Sequence, residues 1–213
     1  MLLKSKILVV APHPDDEVLG AGGTLLRRKA EGATVAWLIV TSITAEKGWS
    51  EEKIKQRADE IKRVTELFGF DSVFELNLQT TQLDQVSMSD LVTAISNVFK
   101  QFEPEEVFVP HHSDVHTDHR MVFDAVASCT KWFRYPSIQR VLAYETLSET
   151  HWNAPNIEPN FSPNFFINIT DYINEKEKVL SFYESQIKNN NSRSIDAMRA
   201  LAKFRGSQNG CNY

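Results

Sequence analysis

A three-layer αβα sandwich around a mostly parallel sheet is the fold that this sequence predicts, on three observations. KILVVA (Lys6 to Ala11) and TVAWLIV (Thr34 to Val40) are nearly continuous apolar runs, the pattern of strands buried on both faces. Between them a helical stretch runs from Glu17 to Ala30, long enough for the right-handed crossover that joins parallel strands. The strand–helix alternation then repeats down the chain. The arrangement is Rossmann-like, and such sheets bind ligands at the carboxyl ends of their strands. With 213 residues, 42% of them hydrophobic, the chain suits one domain over 1–213.

The elements follow in order. Pro12 to Asp16 is the loop after the first strand, and Gly32 stops the first helix. In the helix from Glu51 to Phe68, Ile54, Ala58, Ile61, Val64 and Leu67 recur at helical spacing; Ser50 caps it and Gly69 ends it. Ser72 to Leu78 is a strand and Thr80 to Gln85 a polar loop. Ser89 to Phe102 is a helix with Val92, Ile95, Val98 and Phe99 on its apolar side, and Pro104 bars its continuation. Glu106 to Pro110 is a short strand, His111 to Asp118 a polar loop, His119 to about Phe133 a helix, and Val141 to Glu145 a strand. Thr150 to Pro163 has no period and is rich in Pro and Asn, as a long surface loop would be. FFINIT (Phe165 to Thr170) is strand-like. Thr170 caps a helix to about Lys188, with Ile173, Val179, Leu180, Tyr183 and Ile187 inward. Asn189 to Ser192 is a turn, and a last helix from Ile195 to Phe204 ends at Gly206. Trp37, Trp132 and Phe133 are expected in the core, and Cys129 is expected to be structural.

Composition excludes several classes. A formal net charge of −5 gives no electrostatic case for nucleic acid or anionic lipid. No run approaches the ~20 apolar residues of a membrane span. The opening MLLKSKILVVAPHPDDE passes from a short apolar run straight into acids, unlike a secretory signal. Cys129 and Cys211, far apart, are too few for a disulfide framework or a thiolate zinc site, so the expected compartment is the reducing cytoplasm. Gly20, Gly22 and Gly23 lack the GxGxxG spacing and follow acids that would repel a pyrophosphate; close helix–sheet packing is the expected role.

Two clusters carry chemistry. The first is APHPDDE (Ala11 to Glu17) at the end of the first strand, where His13, Asp15, Asp16 and Glu17 fall within five residues. Adjacent acids repel one another and call for compensating charge. A stiffened imidazole beside paired carboxylates suits a divalent cation, one carboxylate binding it while the next handles a proton. The second is HHSDVHTDHR (His111 to Arg120), which holds four of the six histidines together with Asp114 and Asp118 and also follows a strand. His13 and Asp16 plus one histidine of the second cluster make an open three-ligand N/O site of the catalytic zinc kind, and zinc lowers the pKa of a bound water toward ~7. The bland reading of the first cluster is a strand-end turn whose acids cap the next helix; that of the second is a solvated loop. His111, His112 and His151 are not expected to be ligands. Glu145, at a strand end, is placed within reach of the pocket.

HPDDE after an apolar strand, followed about a hundred residues later by HxDHR, resembles the LmbE/PIG-L family of zinc-dependent amino-sugar N-deacetylases. The resemblance extends through GAGGTL, RADE, VLAYET, SPNFFINIT and YESQ, nearly the whole chain. It implies removal of an acetyl group from an N-acetylglucosamine-type conjugate, with release of acetate. It implies His13, Asp16 and His119 as ligands of Zn2+ or another divalent transition metal, and Asp15 as general base. It implies His116 as the charged histidine at the tetrahedral intermediate and Asp118 as the carboxylate that orients it. Arg57, in QRADE, matches an arginine directed toward the sugar, and Asp114 a pocket-edge acid in contact with substrate. Partners implied are a small amino-sugar conjugate and, in some members, further copies of the chain; no nucleic acid and no membrane insertion are expected. Two departures stand out: Pro12 precedes His13 where the family has Ala, and Thr117 replaces a proline. Rival readings are an amidase for another amide, such as a thiol-sugar conjugate, and a non-catalytic metal- or nucleotide-binding module, which would need neither Asp15 nor His116.

Overall fold

The computed structural model describes residues 5–152, 160–187 and 191–213. Five parallel strands, β1 (Lys6–Ala11), β2 (Thr34–Ser42), β3 (Ser72–Gln79), β4 (Glu106–Pro110) and β5 (Arg140–Tyr144), form one sheet in the order β3-β2-β1-β4-β5. β1 therefore has β2 on one side, in register from Lys6↔Thr34 to Ala11↔Ile39, and β4 on the other, from Ile7↔Glu106 to Val9↔Phe108. The order reverses at this point, and the crevice beyond the carboxyl ends of β1 and β4 is where such a sheet takes a ligand.

Alternation along β1 supplies both faces. Ile7, Val9 and Ala11 join Val35, Trp37 and Ile39 of β2 in one apolar cluster, closed by α1 (Gly22–Ala30), α2 (Glu51–Phe68), α5 (Ile173–Leu180) and α7 (Ile195–Gln208). Leu8 and Val10 join Ala36, Leu38 and Val40 in the other, closed by α3 (Met88–Phe102) and α4 (Thr117–Ser128). The remaining helix, α6 (Glu184–Ile187), is a single turn. Ser50 caps α2 by accepting the Lys53 N–H, and Gly69 ends it in the left-handed region. No helix among the described residues is long and apolar enough to cross a membrane.

Gly20 lies in a widened π-helical turn, Glu17–Ala21, ahead of α1. A Cβ there would fall 2.1 Å from the Tyr144 ring, and one on Gly23 would fall 2.5 Å from Ile169, so these glycines serve close packing as the sequence predicts.

Five expectations are corrected. α4 stops at Ser128, because the Ser128 and Thr130 hydroxyls bond back to the carbonyls of Asp124 and Ala127 and compete with the helix ladder. The chain then turns outward, so Trp132 and Phe133 are 78% and 62% exposed rather than in the core. Phe165 to Thr170 is not a strand: Ile167 and Ile169 pack on the α1 side of the core, and the Ile169 N–H bonds to Tyr213 instead of a ladder partner. β propensity reports a half-buried apolar surface as readily as a sheet. The helix expected from Thr170 to Lys188 is broken at Ser181–Tyr183 into α5 and α6, after a 3-10 turn at Thr170–Tyr172. The last helix runs on to Gln208 with Gly206 inside it. Much of the Thr150 to Pro163 loop and part of the Asn189 to Ser192 turn lie outside the described residues.

Candidate active site

The loop after β1 is pinned to β2, where the Thr41 backbone N–H and hydroxyl both donate to the Pro12 carbonyl, at 3.0 and 2.7 Å. The chain then reverses at Asp15, whose φ of +126° is rare for any residue but glycine and is held by its surroundings. Asp15, Asp16 and Glu17 end up at most 1% exposed. The charge compensation that the sequence demands is met by cationic partners for Asp16 and Asp15, whereas burial raises Glu17 to about 8 and leaves it protonated at neutral pH. Asp16 faces His13 and His119. Asp15 Oδ2 accepts from Arg193 Nη1 at 2.9 Å. Glu17 accepts the Tyr183 hydroxyl at 2.5 Å and the Asp15 N–H at 3.1 Å.

His13 Nδ1 and His119 Nε2 both lie 3.2 Å from Asp16 Oδ2, and the three residues offer ligand atoms within 4.8 Å of one another. Asp16 Oδ1 and His119 Nε2 are buried without a hydrogen-bond partner. With those two atoms unsatisfied, the converging N/N/O set fits a divalent cation. Behind it, each imidazole gives its other nitrogen to a buried carboxylate: His13 Nε2 to Asp118 Oδ2 at 3.0 Å, His119 Nδ1 to Asp114 Oδ2 at 2.8 Å. Such back-side carboxylates fix the tautomer and raise the basicity of a metal-ligating histidine. A second group, His13, His116 and Asp118, also clusters. Its carboxylate is already engaged, since Asp118 accepts from Thr81 N (2.7 Å), Leu83 N (3.3 Å) and His13.

The electrostatics show how strongly the first set calls for positive charge. Burial opposes ionisation of Asp16, yet the facing His119 and His13 hold its pKa well below the usual carboxylate range. Burial likewise opposes charge on His119, but Asp16 and Asp114 push its pKa up to about 10. Asp15 goes the other way: burial raises it to about 6, with Arg193 holding it back. His116 is lowered to about 4 by burial and by the neighbouring His13 and His119 rings, whose centroids are 4.4 and 5.4 Å away.

Three expected roles change with this geometry. Asp114 is not at a pocket edge. It is 1% exposed, with Oδ2 on His119 and Oδ1 accepting from Thr150 at 2.7 Å, and it does not line the cavity beside the metal set. The Asp118 carboxylate orients His13, not His116; His116 Nδ1 instead accepts the Asp118 backbone N–H at 3.1 Å. Accepting at Nδ1 and buried beside two other imidazoles, the His116 ring favours the neutral form, with its proton on Nε2, over an imidazolium. Spacing brings these residues to one place but does not say which nitrogen of a ring faces which acid.

Arg57 lies 3.4 Å from the Pro14 carbonyl and 3.5 Å from Glu60. With His13, Thr41, Thr44, Glu75 and Asn77 it lines a cavity of about 410 Å3 beside the metal set. A cavity of about 470 Å3 between β5, residues 161–167 and α7 holds none of the His/Asp cluster. Glu145 does not reach the site, being paired with Arg205 and His151. His111 and His112 lie off the metal set, against Phe161 and Phe123. Sequence reasoning misses Arg193, Glu149, Thr150 and the role of Tyr183; all come from the last third of the chain, and only Tyr183 falls in a quoted motif, YESQ, which assigns it no role.

A family model described as PIG-L, GlcNAc-PI de-N-acetylase, matches residues 8–130, more than half the chain. The diacetylchitobiose deacetylase of Thermococcus kodakarensis is 24% identical over 216 residues, covering 98% of this chain and 80% of that relative. A probable N-acetyl-alpha-D-glucosaminyl L-malate deacetylase 2 of Bacillus cereus is 25% identical over 209 residues, covering 91% and 94%. The solved structure of N,N'-diacetylchitobiose deacetylase from Pyrococcus horikoshii shares the fold, with a TM-score of 0.78 at 22% identity over 98% of this chain and 81% of that one.

Proposed function

The chain belongs to the PIG-L family, and from that premise we propose that it is a metal-dependent hydrolase that removes the acetyl group from an N-acetylglucosamine-type amino sugar. The observation that carries the reading is the convergence of His13, Asp16 and His119, with Asp16 Oδ1 and His119 Nε2 buried and unsatisfied, beside an acid with one free oxygen. Two imidazoles and a carboxylate support zinc as the ion. When bound, it supplies Lewis acidity to a water molecule and to the acetamide carbonyl.

Asp15 acts as general base. Its Oδ1 is buried without a partner, and a pKa of about 6 leaves it ionised at neutral pH yet basic enough to take the proton of the attacking water. His116, neutral, donates from Nε2 to the oxygen that develops negative charge at the carbonyl. Asp15 then passes its proton to the leaving nitrogen, so that water and amide become acetate and free amine. Asp114 and Asp118 hold the two ligand imidazoles. Arg57 engages the sugar from the wall of the cavity, whose hydroxyl and amide side chains suit a polyol and whose size lies in the small-molecule range. We take residues 1–213 as one domain, a reading supported by the two apolar clusters that share one sheet.

The test is acetate release from N,N'-diacetylchitobiose, N-acetylglucosaminyl malate and N-acetylglucosaminyl phosphatidylinositol, before and after chelation. Release that stops with chelator and returns with zinc supports the proposal. No release from any acetamide by zinc-loaded protein overturns it.

A further inference from the structure

We propose that Arg193 is a positioning residue for this reaction: it fixes Asp15 by one carboxylate oxygen and thereby presents the other to the proton that the base must take. The inference rests on the assignment of Asp15 as base and goes beyond it. Arg193 ends a short turn, Asn191–Arg193, just ahead of α7. All three of its nitrogens are committed. Nη1 donates to Asp15 Oδ2 at 2.9 Å and to Gln186 Oε1 at 3.3 Å. Nη2 donates to Glu149 Oε1 and Nε to Ser148 Oγ, both at 2.6 Å. One guanidinium thus ties the β1 loop to the chain after β5 and to α6.

The consequence for Asp15 is an asymmetry. Oδ2 is taken, whereas Oδ1 is buried and has no hydrogen-bond partner. The backbone of the same residue is fixed from the other side by Glu17, itself anchored by Tyr183. A base held at both its main chain and one oxygen has a single oxygen left to work with, aimed before substrate arrives. The clamp also suits a neighbouring cation. Arg193 lies between two carboxylates, so Asp15, Arg193 and Glu149 together carry net negative charge and do not repel a metal ion. A planar fork with fixed donors performs this task; a lysine would supply charge without the geometry.

The experiment compares Arg193→Ala, Arg193→Lys, Asp15→Asn and the Asp15→Asn/Arg193→Ala double variant, all zinc-loaded, on whichever substrate of the panel releases acetate. Arg193→Ala should lower kcat roughly 10- to 100-fold, with KM within about threefold and zinc content unchanged. Millimolar guanidinium should restore part of the loss, and Arg193→Lys should retain part of it. The double variant should be no slower than Asp15→Asn alone, because a residue acting through the base has nothing left to position. Unchanged kcat in Arg193→Ala, or losses that multiply in the double variant, overturns the proposal while leaving the base assignment standing. Asp15→Asn at wild-type speed overturns the base assignment itself. A crystal structure of the zinc-loaded wild type gives a readout without turnover. Arg193 Nη1 within hydrogen-bond reach of Asp15 Oδ2 supports the clamp, and a guanidinium swung away from it overturns the clamp.

Discussion

The carboxylate of Asp114 lies 2.8 Å from Nδ1 of His119, with both side chains wholly inside the protein. Asp118 stands in the same relation to His13, at 3.0 Å from Nε2. The front nitrogens of the two rings meet at Asp16. The site is therefore built as two acid–histidine pairs that close on a third acid, and several outcomes follow from that symmetry.

Asp114→Asn keeps the shape of the pair and removes the charge that His119 leans on. Zinc affinity should fall about 10- to 100-fold, the usual cost of losing a carboxylate behind a ligand histidine. At saturating zinc, KM should stay near the wild-type value, because both Asp114 oxygens are engaged inside the protein. Competition with a chromophoric chelator and a Michaelis–Menten series separate the two quantities. A raised KM with unaltered zinc affinity would return Asp114 to the substrate.

Asp118→Ala should cost stability as well as metal. Its carboxylate accepts the Thr81 and Leu83 N–H groups and His13, and the side chain has no solvent exposure. Removing it strands donors in the interior, at roughly 1–3 kcal/mol for each unsatisfied group. Urea unfolding of the zinc-free protein should show a loss of about 2–4 kcal/mol. A loss under about 1 kcal/mol would mean that water replaces the carboxylate at the 80–83 loop.

How far the chain announces this site depends on what kind of information is asked of it. Periodicity marks β1, α2 and β4 to the residue, because each is a run whose burial is set by its own neighbours. Spacing after two strands brings His13, Asp16 and His119 together, because parallel strands deliver their following loops to one edge. What spacing cannot carry is orientation. The partners that Asp114 and Asp118 take instead of the expected ones depend on how their carboxylates are held, by Thr150 for the first and by Thr81 and Leu83 for the second, all far off in sequence. Phe165 to Thr170 misleads for the related reason that an apolar run packed on a helix looks like one paired in a sheet. Arg193 carries no local signal at all, since its meaning is a contact 178 positions away.

Gly20→Ala tests the close approach of the π-helical turn to β5. The added methyl would sit 2.1 Å from Tyr144 Cδ2, and that ring is tied down by its hydroxyl, which donates to the Val10 carbonyl at 2.9 Å. Overpacking of this kind costs about 1–3 kcal/mol, so the melting temperature should fall by roughly 2–10 °C. Because the turn carries Glu17, turnover should fall too. A variant as stable as the wild type would show that Tyr144 can move aside.

Lys176 gives the pH prediction, since it stands apart from the metal set. Its side chain is buried under α1, with Nζ donating to the Leu19 carbonyl at 3.0 Å. Burial brings its pKa down to about 8, against the opposing pull of Glu145. In the unfolded chain the same group keeps its ordinary value near 10.5. Below pH 8 both states hold the proton, and the cost of the buried charge is present in full. Between pH 8 and 10 the folded protein releases the proton while the unfolded chain retains it. The unfolded state then binds more protons, so stability rises with pH. The rise from this group approaches 1.4 kcal/mol per pH unit, about 2 kcal/mol over the interval. Lys176→Met should lack it. Tyr144 and Tyr183, whose pKa values burial raises well above 10, act alike in both proteins. Urea unfolding at pH 8, 9 and 10 should therefore show the wild type gaining on the variant by about 2 kcal/mol. Parallel stability curves over that range would mean that water reaches the ammonium and that the wall between α1 and α5 is open.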